Sequence, residues 1–231
     1  MSFSGESFLN FPPHIWSLRW YHEFFGDPLW LQATWLSARI ALASTAIAMV
    51  LGATVSYALV RGARTLRPVV YALMLAPMVV PTVVSSIGVY TVLAPLGLVN
   101  SPLGLILAIT PGSISYVVII LVATLTAFDA RLEMASQSLG AGHLRTARRI
   151  IMPVILPGVV AAAIFAFIHA FDEVVISSFI AGSRLQTLPL KIWFGIQYEQ
   201  EPVIAAVSTL MMALPLIALP FFGARTQVLK K

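Results

Sequence analysis

The sequence predicts an all-α polytopic membrane protein, and three observations carry that prediction. Of 231 residues, 59% are hydrophobic and only 10% are charged, where a soluble domain carries about 25% charged residues. The mean hydropathy is +0.91. The charges are clustered, leaving uncharged stretches as long as the 61 residues from Pro68 to Phe128, where about 20 apolar residues suffice for one crossing.

Residues 1–30 are polar, aromatic and proline-bearing, without the basic start and apolar centre of a signal peptide. Their Trp and Tyr content predicts an external segment at the membrane interface. Ile40–Val60 is the first predicted span, closed by Arg61, Arg64 and Arg67. Its small residues Ala41, Ser44, Ala48, Gly52 and Ser56 recur near four-residue spacing, a pattern that favours close helix packing. Pro68–Phe128 is long enough for two spans, with a turn at Ala94–Gly104 where Pro, Gly and Asn concentrate. Asp129–Pro153 is a polar interruption. Ile150–Phe171 is the fourth span, after which Asp172 and Glu173 intrude before the apolar run VVISSFIAG. Gly182–Pro202 reads as a mixed polar loop or re-entrant segment, and Val203–Ala224 is the fifth span, ended by RTQVLKK. Pro77, Pro81, Pro111, Pro157, Pro215 and Pro220 fall inside the spans, where a missing backbone donor tends to kink a helix.

Basic residues orient the bundle. With the N-terminus outside, Arg61, Arg64, Arg67, Arg131, Arg145, Arg148, Arg149, Arg225, Lys230 and Lys231 lie on the cytoplasmic side, against Arg19, Arg39, Arg184 and Lys191 outside. Ten against four favours this orientation. Glu6, Glu23, Asp27, Glu199 and Glu201 then lie outside, and residues 129–153 form the longest cytoplasmic excursion. The net charge of +5 thus belongs to loops beside a membrane and implies no nucleic acid.

Several function classes lack residues to rest on. There is no cysteine, hence no disulfide or thiolate metal site. No GxxxxGK[ST] phosphate loop and no GxSxG elbow occur. His22-Glu23 is followed by Phe24-Phe25-Gly26 rather than completing HExxH. No enzyme, cofactor or metal site is predicted.

The segment GAGHLRTARRIIMP (Gly140–Pro153) carries three arginines between apolar runs. DARLEMASQSL before it favours helix, and Gly140 suits the left-handed position just past a helix end. A second short helix follows, with Leu144, Ala147 and Ile151 on one face and the arginines mainly on the others. Pro153 and Pro157 are expected to turn the chain back into the membrane. Two readings stand at this level: a basic loop lying against anionic lipid, or a docking element for a soluble partner.

This segment resembles the EAA loop of permease subunits in ATP-binding cassette (ABC) importers. That pattern runs Glu-Ala-Ala, three residues, Gly, nine residues, Ile-x-Leu-Pro. Here Gly140 is followed after nine residues by Ile150-Ile151-Met152-Pro153, with Met152 in place of Leu. Met134-Ala135-Ser136 stands in place of Glu-Ala-Ala, with Glu133 one position earlier. Further on, AFIHAFDEVVISSFIAG, LQTLPLKIW and EPVIAAVSTLM resemble the second permease of spermidine/putrescine-type systems.

The resemblance implies a type I ABC importer permease-like bundle in the bacterial cytoplasmic (inner) membrane. Such permeases have six spans. SFSGESFLNFPPHIWSLRWY resembles the external loop after the first, so about five spanning helices are expected here, the first family helix being absent or lying upstream. The implied partners are a second permease, a cytoplasmic ATPase dimer, an extracytoplasmic substrate-binding protein and membrane lipid. Glu133, Ala135, Gly140, Ala141, His143, Leu144, Ala147, Arg148, Ile150 and Pro153 are the implied ATPase-coupling residues. Thr187–Ile192 is implied to line an outer gate or the binding-protein footprint; its residues alone read as a loop.

Asp172 and Glu173, with His169 one turn earlier, form the second candidate site. Ionisable residues in an apolar stretch usually face a bundle interior or water-filled path. They are expected to line a translocation pathway that attracts a polyamine or related amine; the structural alternative pairs one carboxylate with Arg39 or a partner-chain base, or has the span simply end there. Other solutes fit the same machine: an amino acid derivative, opine, thiosulfate or iron. A stand-alone secondary transporter would call for internal repeats, which the sequence does not display.

Overall fold

The computed structural model describes residues 2–5, 15–62, 65–182, 185–199 and 202–228, with side chains except those of residues 199, 214 and 217–228. Arg64, Arg184, Glu201, Lys230 and Lys231, and residues 1 and 6–14 with Glu6 among them, lie outside the described residues; so do the side chains of Glu199, Pro220 and Arg225.

Among the described residues, three helices are long and apolar enough to span a bilayer. The first, α2 (Pro28–Arg61), has 34 residues. It begins at Pro28 rather than Ile40, because Asp27 caps it, accepting from the Leu29 N–H at 2.8 Å, and Pro28 suits a first helical turn. The predicted stripe of Ala41, Ser44, Ala48, Gly52 and Ser56 is buried along its length. It packs on α5 (Pro102–Ala127), where a Cβ at Gly52 would lie 2.6 Å from Val117 Cγ1. Small residues thus let these two backbones approach closely.

The stretch Pro68–Phe128 yields one straight span, α5, and a broken one. Helix α3 (Arg67–Val79) and α4 (Thr82–Leu93) meet at 102°. Pro81 explains the break: it has no N–H to donate, and it drives Val80 into extended backbone (φ −70°, ψ 132°). The expected turn at Ala94–Gly104 forms, with Gly97 and Asn100 at positive φ and Ser101 capping α5 through the Gly104 N–H at 3.0 Å. Pro111 and Pro157 sit within continuous helix.

The third long span runs without interruption from His143 to Phe171. It comprises a short α7 (His143–Thr146), a π-turn (Ala147–Ile151) and α8 (Met152–Phe171). The expected proline turn at Pro153 is therefore absent. The wider π-turn accommodates the donor that Pro153 lacks, and the helix continues. α6 (Ala130–Ser138) precedes this span. After it come α9 (Val175–Ile180), α10 (Leu188–Phe194), a second π-turn (Gly195–Glu199) and α11 (Val203–Val228). Val203–Ala213 is the part of α11 that reads as a shorter apolar helix.

Residues within 1–30 are more structured than a loop. Gly5 donates to the Ile15 carbonyl and Ser17 to that of Phe3, each at 2.8 Å, closing a small antiparallel bridge. α1 (Arg19–Gly26) follows and packs against α11. It buries Trp20 and Phe24 in a cluster that also gathers Trp30, Ile109, Ile180 and Val207. Ser37 Oγ accepts from the Leu188 N–H at 2.7 Å, tying α10 to α2. A second cluster (Ala48, Val117, Leu121, Ala162, Ala166) joins α2, α5 and α8 mid-bundle. A third (Leu125, Phe128, Ile151, Ile155) closes the end nearest α6 and α7.

Candidate functional site

Two regions gather the residues singled out in the sequence. The first is the α6–α7 elbow. Asp129 caps α6, accepting from the Arg131 N–H at 2.9 Å. At the other end Gly140 has φ +81°. Its N–H donates to the Gln137 carbonyl at 2.9 Å, and the Ala141 N–H donates to that of Ser136 at 3.2 Å. This paired pattern is the Schellman motif, which needs a left-handed residue where Gly140 stands. Inside the elbow the Ser136 and Thr146 hydroxyls meet at 3.0 Å, both buried.

The elbow departs from expectation on its apolar face. Ile151 is buried, Ala147 half-buried, and Leu144 is 84% exposed. The intervening π-turn adds a residue to its turn and rotates Leu144 away from the line of Ile151. Leu144 instead borders a hollow of about 490 Å³ with Gly140, Gly142, Arg145, Arg148 and Arg149. Ala135, His143 and Pro153 are exposed, Ala141 is half-buried, and Ile150 packs partly into the third cluster.

Glu133 makes an ion pair that its sequence position does not announce. Its Oε2 lies 2.8 Å from Nη2 of Arg61, the last residue of α2. The same guanidinium sits over the Phe128 ring, 5.9 Å from its centroid. Nothing in the spacing of two residues so far apart along the chain indicates this pairing.

The second region is a cavity of about 490 Å³ between α5, α8 and the α3–α4 break. His169, Asp172 and Glu173 all line it, so the three predicted pathway residues come together. Tyr116 and Phe165 supply aromatic walls, and Pro77, Met78 and Thr82 bring in the break. Irregular backbone at membrane depth is tolerated where it borders such a space. Asp172 also borders two smaller hollows of about 240 and 180 Å³, each shared with Met211 and Met212.

The three side chains differ in how they are held. His169 lies against Tyr116, ring centroids 4.9 Å apart, and its buried Nε2 has no hydrogen-bond partner among the described residues. Gly112 faces that nitrogen, and a Cβ there would collide with it. Glu173 Oε1 accepts from the Ile176 N–H at 2.9 Å, capping α9. Asp172 is exposed, and no ion pair joins it to Arg39 among the described residues. The arrangement leaves acidic groups facing a partly aromatic cavity. Gly112 and Tyr116 escape sequence reasoning because both sit in an uncharged, regular span.

Residues 44–226 match the family described as binding-protein-dependent transport system inner membrane component. The chain belongs to this family. It is a multi-pass inner-membrane protein and a transport subunit rather than an enzyme. The spermidine/putrescine transport system permease protein PotC of Haemophilus influenzae is 29% identical over 200 residues, spanning 87% of this chain and 78% of PotC. The putrescine transport system permease protein PotI of Escherichia coli is 30% identical over 204 residues, spanning 85% of this chain and 73% of PotI. The sulfoquinovosyl glycerol transport system permease protein SmoH of Agrobacterium fabrum is 32% identical, spanning 84% and 69%. Among solved structures, the MetNI methionine ABC transporter superposes with a TM-score of 0.69 at 18% identity, over 86% of this chain and 94% of that one. An alginate ABC transporter in complex with its pentasaccharide-bound periplasmic protein gives 0.70 at 12% identity, over 93% and 84%. These likenesses establish the type I ABC importer permease fold.

Proposed function

We propose that this chain is the transmembrane permease subunit of an ATP-driven importer of polyamines or related small amines. It forms the pathway with a second permease. Two ATPase subunits sit beneath the permease pair, one of them receiving the α6–α7 elbow, and a substrate-binding protein docks on the opposite face. The observation that carries the amine reading is the cavity in which Asp172 and Glu173 meet Tyr116 and Phe165. Carboxylates attract ammonium groups, and aromatic faces receive them through cation–π contact. PotC and PotI, whose names specify spermidine and putrescine, support this class.

The elbow supports the coupling role. Its Schellman turn presents exposed Leu144 beside three arginines, and α7 is continuous with α8. A push on α7 is thereby delivered to the helix that carries His169 and leads to Asp172. Labelled-amine uptake by the assembled complex tests the substrate class. Asp172→Asn should lower uptake about tenfold, the scale of one lost charge-assisted hydrogen bond. Undiminished amine uptake in an assembled Asp172→Asn complex contradicts it.

A second reading is the same machine carrying another solute. SmoH, named for a sulfoquinovosyl glycerol transport system, is 32% identical to this chain over a smaller share of its own length than PotC or PotI. Ligand screening on the cognate binding protein separates the two.

A further inference from the structure

Arg61 and Glu133 join two elements that the chain order keeps apart. Arg61 ends α2, which packs along both α5 and α8. Glu133 lies in the first turn of α6. Their 2.8 Å ion pair is partly shielded, with the side chains 25% and 16% exposed. The Phe128 ring covers one side of the guanidinium, and Phe128 itself is 7% exposed within the third cluster. An exposed surface pair is weak and easily exchanged with water. A shielded pair seated on a buried ring is held more firmly, and removing one partner leaves the other charge poorly solvated.

The pair is one of several fastenings on the elbow. Ser136 and Thr146 fasten α6 to α7. The π-turn fuses α7 to α8. Arg61 and Glu133 fasten α6 to α2. Displacement of the elbow therefore has three outlets: α8 directly, α5 through the Phe128–Asp129 link to α6, and α2 through the ion pair. Without the ion pair the outlet to α2 has no charged link.

We infer that the Arg61–Glu133 pair is a strut that carries elbow motion into α2, so that α2 and α8 move together when the pathway changes its access. Both are positioning residues: neither lines the cavity beside Asp172 and Glu173. The inference rests on the coupling role proposed for the elbow.

The test is transport per ATP hydrolysed, measured in proteoliposomes holding the complete importer with its binding protein. Arg61→Met and Glu133→Gln should each lower this ratio by about tenfold, within the range of coupling effects between linked sites. Arg61→Lys keeps a charge opposite Glu133 and should retain most of it. The double variant Arg61→Glu/Glu133→Arg restores opposite charges in reversed order and should recover most of the wild-type ratio. A purely structural anchor would lower assembly or thermal stability without moving the ratio. Normal ratios in Arg61→Met and Glu133→Gln overturn the strut alone, as does a reversed pair that assembles but stays uncoupled. Failure of every pair variant to assemble makes the pair a folding element and also overturns it. A wild-type importer that hydrolyses ATP without transport overturns the coupling role and the strut with it.

Discussion

The imidazole of His169 occupies the space that a side chain on Gly112 would need. The ring rests on Tyr116 from the same helix as Gly112, so α5 and α8 are locked together beside the cavity. Gly112→Ala forces the imidazole or a helix to shift, and overpacking of this kind costs about 1–3 kcal/mol. Thermal unfolding of the purified complex should register that loss, and amine uptake should fall as His169 moves into the cavity. Alanine at 112 with full uptake and unchanged stability would show that the ring has room to move.

Glu173 has two separable tasks. Its carboxylate caps α9 through the Ile176 N–H and also faces the cavity. Glu173→Gln retains an acceptor for that N–H but removes the charge, so stability should hold while amine uptake drops. Glu173→Ala removes both, adding about 1 kcal/mol of destabilisation from the lost cap. Comparing uptake and melting temperature across the two variants checks the division.

Gly140 holds a conformation that L side chains enter at a cost of about 1–2 kcal/mol. Gly140→Ala should therefore distort the α6–α7 elbow, whose orientation its φ of +81° sets. Ala147→Pro should break the π-turn that joins α7 to α8. Each variant should transport poorly while ATP hydrolysis continues, without altering substrate affinity of the binding protein. Assembled variants with normal uptake would remove the elbow from the coupling path.

The α2–α5 contact makes a stability prediction independent of transport. Gly52→Val places carbon against Val117 and should destabilise by about 1–3 kcal/mol. Val117→Ala in the same chain makes room and should restore part of the loss, a coupling that a double-mutant cycle reads directly.

Features written in local chemistry were legible in the sequence. Gly140 was expected at a helix end and forms one, because only its own backbone freedom is at issue. The small residues from Ala41 to Ser56 were expected at a close contact and lie in one, because helical spacing puts them on one stripe. His169, Asp172 and Glu173 were within one turn of each other and share a cavity. Features that depend on distant partners were not legible. Proline content marked Pro81 and Pro153 alike as benders, yet the chain breaks at 102° beside Pro81 and runs on through Pro153 in α8. The same missing donor breaks the helix at Pro81 and is accommodated at Pro153 by the π-turn that precedes it. Glu133 meets Arg61 only because the fold brings the end of α2 within reach of α6, and Gly112 has its role only because α8 brings His169 against it.

The most direct measurement is ATP-driven uptake of radiolabelled spermidine into proteoliposomes containing this chain, its second permease and ATPase subunits, with the loaded binding protein outside. The account predicts uptake that requires ATP, the binding protein and an intact α6–α7 elbow, and that falls in Asp172→Asn. Spermidine accumulation by this chain alone, driven by an ion gradient and indifferent to ATP, would contradict it.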